Sequence, residues 1–131
     1  MNMVYEREAK GDIDTVGKRL EAAVKAHGFG VIGILDLQAK MKEKGVEFAN
    51  PCRIYEVCNP VKAKQVLEAD MRISTALPCR ISLYMQDGGV RLATLLPTAT
   101  IGLFGLPSLG SVAQEVEHAI KGMMDAAAMG S

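Results

Sequence analysis

The stretch that most constrains the fold of this chain lies between residues 80 and 96. Ile81, Leu83 and Met85 alternate there with Arg80, Ser82 and Tyr84, the two-residue period of a strand with one apolar face. Asp87-Gly88-Gly89 follows, a composition suited to the left-handed backbone of a tight hairpin. Val90 to Leu96 returns as the partner strand, and Pro97 stops it. An antiparallel pair of this kind leaves one face that the remainder of the chain must cover.

The covering elements can be read from spacing and caps. Residues 3 to 9 form a weakly patterned opening strand. Asp12 stands where it can accept the first-turn amides of a helix carrying Ile13, Val16, Leu20, Val24 and His27 on one face, with Gly28 at its end. Gly30 to Leu35 is an apolar strand, and Asp36 caps a short helix that Gly45 closes. Cys52 to Val57 is a further strand. Asn59-Pro60 then opens a second main helix, with Ala63, Val66 and Leu67 facing inward. Ser111 to Gln114 has the form of a capping box. Beyond it, Val112, Val116, Ala119, Ile120, Met123 and Ala127 make the stripe of a last helix. The order β-α-β-β-α-β-β-α predicts an α+β fold built on a ferredoxin-like split βαβ pattern, with an added hairpin strand and a C-terminal helix. A chain of 131 residues without an interior linker is expected to form one domain over residues 1–131.

Composition narrows the partners. Fifteen basic and fifteen acidic residues give a formal net charge of zero, without the basic excess by which proteins hold phosphate backbones, so nucleic acid is not expected. The mixed-charge start, Met1 to Glu8, is unlike an export signal, and a cytoplasmic address is the expectation. Leu92 to Gln114 holds no charged residue, yet Pro97, Pro107, Gly102, Gly105 and Gly110 interrupt it, which argues against a membrane span. Its segment Thr98 to Gly110 reads as an apolar loop. Leu103, Phe104 and Leu106 in that loop are candidates for an interface in a homodimer.

Pro-Cys-Arg-Ile occurs at 51–54 and again at 78–81, each copy opening a strand. Taken as equivalent, the copies put Arg53 and Tyr55 of one strand beside Arg80 and Tyr84 of the other, a face that could grip an anion or a planar ligand. Cys52, Cys58 and Cys79 are expected as free thiols in a reducing compartment, and they are the candidates for thiol redox or metal handling. Their spacing matches no common zinc or redox motif. A zinc site would need them to converge with His27 or His118 from far apart. No catalytic constellation stands out, and no cofactor or metal is implied.

The segments His27-Gly28-Phe29-Gly30-Val31, Val57-Cys58-Asn59-Pro60, Leu77-Pro78-Cys79-Arg80-Ile81 and Asp87-Gly88-Gly89-Val90 together resemble the domain-of-unknown-function 302 family, over about Asp12 to Leu96. The resemblance implies a small, dimeric α+β domain and no established activity. The reading that follows is a homodimeric binding or interaction module; a small thiol-dependent redox or metal-handling protein is the alternative.

Overall fold

The computed structural model describes residues 2–130. Its elements run β1 (Val4–Ala9), α1 (Ile13–Ala26), β2 (Gly30–Asp36), α2 (Leu37–Glu43), β3 (Cys52–Cys58), α3 (Pro60–Ala69), β4 (Cys79–Gln86), β5 (Gly89–Leu95), α4 (Pro97–Gly102) and α5 (Gly110–Met129). Single 3-10 segments follow α3 (Met71–Ala76) and precede α5 (Pro107–Leu109). The fold is α+β.

The five strands form one sheet in the order β1-β5-β4-β3-β2, with every neighbouring pair antiparallel. That order makes β1 and β2 parallel strands at opposite edges. The β1-α1-β2 unit is thus a split βαβ with three strands inserted, and β5 is the strand that joins β1 to the rest. The hairpin is as expected: Gln86 pairs with Gly89 around Asp87 and Gly88, both at positive φ.

Helices cover one face. α1 packs over β2 and β4, α5 over β1 and β5, and the two helices lie against each other. Val16, Leu20 and Val24 of α1 meet Tyr55, Val57, Ile81, Leu83 and Leu92 of the sheet in one buried cluster. Asp12 caps α1 through its carboxylate, which accepts from the Thr15 amide at 2.8 Å, and Asp36 caps α2 in the same way from Ala39 at 2.9 Å. Asn59 caps α3 from Val61 and Lys62.

Three expectations change in detail. His27 leaves the buried stripe: it is exposed, and its Nδ1 lies 2.8 Å from the Ala23 carbonyl at the end of α1. The capping box at Ser111 does not form, because α5 runs directly out of the preceding 3-10 segment and already begins at Gly110. The segment read as a loop after Pro97 contains α4. Pro97 occupies the first turn of that helix, where its missing amide costs nothing.

Candidate functional site

α1 and α5 leave the second face of the sheet uncovered. Directly opposed residues of antiparallel strands share a face, so the pairs Val4–Leu95, Glu6–Ala93, Ser82–Ala93, Tyr84–Arg91, Ile54–Ser82 and Glu56–Arg80 define it. One end is a charged belt. Tyr84 Oη lies 3.5 Å from Glu6, and Arg91 lies 3.4 Å from Glu8. Burial, followed by the Glu6 charge, raises the Tyr84 phenol above its ordinary range.

The other end is a hollow of about 260 Å³. Its floor is the Ser82–Ala93 pair, where two small side chains oppose each other and leave the sheet surface low. Val4, Ile54 and Leu95 stand beside that pair, while Ala76, Pro78, Pro97 and Thr100 raise a wall at the sheet end. Arg80 is the only charged residue in the lining. Its guanidinium makes no hydrogen bond among the described residues, and its nearest carboxylate, Glu56, is 3.8 Å away. The Thr94 hydroxyl is already committed, donating to the Arg80 carbonyl at 2.6 Å.

The grip expected from Arg53, Tyr55, Arg80 and Tyr84 does not assemble. β3 and β4 pair so that Tyr55 opposes Ile81 and Glu56 opposes Arg80. The two copies of Pro-Cys-Arg-Ile are therefore out of step by one residue in the pleat. Arg53 and Tyr55 fall on the helix-covered face, and Arg80 and Tyr84 on the open one. Arg53 is held there by Asp14 of α1 at 2.8 Å, and Tyr55 is buried beneath the same helix.

The same parity separates the thiols. Cys79 lies on the covered side opposite Val57, while Cys52 lies opposite Tyr84, 4.0 Å from the Ser82 hydroxyl. Cys58 and Cys79 both border a second, apolar hollow of about 30 Å³ beneath α3, room for about one water molecule. Burial pushes the Cys79 thiol up to about 11, with the neighbouring Cys58 a lesser cause. It is protonated at neutral pH and a poor nucleophile there. All three are unpaired cysteines, and the described residues hold no group of three or more His, Cys, Asp or Glu placed to bind a metal ion.

The apolar 98–110 segment divides. Ile101 and Leu109 are buried, Phe104 and Leu106 pack against the core, and Leu103 alone projects, 82% exposed. Leu103→Asp should therefore change unfolding stability by no more than about 0.5 kcal/mol. Phe104→Asp should cost about 2 kcal/mol by taking a packed ring out of the cluster. Urea denaturation of the two variants reads the difference.

Sequence reasoning missed the Ser82–Ala93 hollow and the exposed edge of β2. The edge exposes Ile32 (63%) and Ile34 (48%), and Val46 and Phe48 in the segment after α2 are exposed as well. Gln38 holds that segment by donating to the Phe48 carbonyl at 2.9 Å. None of the described helices is long and apolar enough to cross a membrane.

No curated protein matches the chain. It is similar to the crystal structure of an uncharacterised conserved DUF302 protein from Bacillus stearothermophilus. The two share 29% sequence identity and superpose with a TM-score of 0.92 over 97% of this chain and 99% of that one. The model of the domain of unknown function DUF302 matches residues 5–127, and the chain belongs to that family.

Proposed function

We propose that this domain is a homodimeric interaction module whose two copies meet along the outer edge of β2. The observation that carries the reading is the contrast between the two sheet edges. β1 presents Glu6, Arg7 and Glu8, the charged residues with which proteins blunt an exposed edge. β2 reads Gly-Val-Ile-Gly-Ile-Leu without a charge until Asp36.

A bulge between Val31 and Gly33 leaves Ile32 without a partner on β3, and Ile32 and Ile34 stay exposed on an edge strand. Scattered exposed apolar residues are ordinary; two within three residues on one uncharged edge strand are the kind of feature that marks an interface. A two-fold contact brings the patch against itself and needs no second, complementary surface. Leu103 is a lone projecting residue and offers less.

Native mass spectrometry of the wild type, of Ile32→Lys/Ile34→Lys and of Leu103→Asp tests the proposal. The wild type and Leu103→Asp should be dimers and the double variant a folded monomer, with unchanged circular dichroism. A monomeric wild type, or a dimer that only Leu103→Asp dissociates, overturns it.

A further inference from the structure

We propose that the hollow on the open sheet face is a binding site for a small monocarboxylate with a short, branched apolar body. Three observations point the same way. The first is shape. The hollow is formed by the opposed Ser82 and Ala93, and its 260 Å³ equals roughly nine water volumes, which suits a ligand of about eight to ten non-hydrogen atoms. The second is the lining. Val4, Ile54, Ala93, Leu95 and Pro97 supply apolar surface, while polar side chains are few, Arg80, Ser82, Thr94 and Thr100, as is usual in a ligand pocket.

The third is charge. Arg80 is the sole ionised group of the lining, and its guanidinium is not consumed by hydrogen bonds within the chain. A guanidinium fork matches a planar carboxylate with two parallel N–H donors. The Ser82 hydroxyl has only the Cys52 sulfur, 4.0 Å away, as a neighbouring partner and can donate to the same carboxylate. A phosphate, with a charge nearer two, would face one arginine and the Glu56 carboxylate beside it, without a second cation to balance it. The carboxylate is the better match. The lining takes no residue from β2, so the site does not depend on the β2-edge contact.

The test uses 4-methylpentanoate as probe, with 4-methylpentanamide and inorganic phosphate as comparisons, in a ¹⁵N-correlation titration of the full chain. Saturable shifts at millimolar 4-methylpentanoate, confined to the amides around Ser82, Ala93 and Leu95, are expected. Arg80→Gln should weaken the acid about tenfold, the loss of one charged hydrogen-bonding partner, and leave the amide unchanged. Ala93→Leu fills the hollow from the solvent side, so the fold should persist while the saturable shifts disappear. Absence of saturation at millimolar probe overturns the proposal. So do equal affinities for acid and amide, tighter binding of phosphate, or shifts that survive Ala93→Leu in the folded variant.

Discussion

Gly17→Val is expected to destabilise the fold by about 3 kcal/mol, as overpacking of a filled core does. Gly17 lies on the buried face of α1, where the helix crosses the ring of Tyr55. A Cβ at this position would run into the Tyr55 hydroxyl and touch Leu83 at 3.5 Å. Tyr55 is 3% exposed and cannot swing away cheaply. The Tyr55 ring, reaching up from β3, fills the space beneath α1 and leaves no room for a Cβ.

A smaller substitution separates this effect from helix propensity. Alanine is favoured over glycine within a helix by about 1 kcal/mol. Gly17→Ala should still be net destabilising, by about 1 kcal/mol, because the clash outweighs that gain. In a Tyr55→Phe background the obstructing oxygen is gone, and the same substitution should become stabilising by about 1 kcal/mol. Urea denaturation of the four proteins measures the cycle. Equal effects of Gly17→Ala in both backgrounds would show that the hydroxyl does not set the helix–sheet spacing.

The second large effect concerns Cys79. Its thiol is pushed from 9.0 up to about 11 in the folded protein, chiefly by burial. The folded chain keeps this proton at pH values where the unfolded chain has lost it. The stabilisation linked to the group is therefore complete below about pH 9 and disappears as the pH rises to about 11. A displacement of that size corresponds to a contribution on the order of 2 kcal/mol. The wild type should lose stability more steeply than Cys79→Ala between pH 9 and 11, and Cys58→Ala should keep most of that loss, because Cys58 is only the lesser cause of the displacement. Near pH 8 a thiol reagent should modify Cys79 about 100-fold more slowly in the folded protein than in urea. Rapid modification of the folded protein would place Cys79 in a more exposed, more acidic setting and favour a thiol-dependent function.

Local chemistry made much of this fold legible. The Asp12 and Asn59 caps, the two-residue period of β4 and the Asp87-Gly88 turn each act within a few residues, so each could be placed from its own segment. The relation between β3 and β4 could not. α3 and a 3-10 segment separate them, and no tight turn fixes their register; a shift of one residue moves every side chain to the other face. For that reason the repeated tetrapeptide misled, bringing Arg53 and Arg80 together on paper when the sheet holds them apart.

The hollow was closer to view than the arginine face. Once Gln86 pairs with Gly89 across a two-residue turn, Ser82 must oppose Ala93, and two small residues opposed on one face leave a depression. What the hairpin alone does not reveal is its flanks: Val4 arrives from β1, whose pairing with β5 spans most of the chain. Gly17 was hidden for a different reason. Reading a helix by its apolar residues passes over a glycine, although a close contact on the buried face requires one.

The most direct test of the β2-edge dimer is an isotope-filtered NOE measurement on protein mixed from ¹³C-labelled and unlabelled chains. Intermolecular NOEs from the Ile32 and Ile34 methyls to β2 residues of the other copy are predicted. Intermolecular NOEs arising from Leu103 instead, or none at concentrations where the wild type is measured as a dimer, would contradict the account.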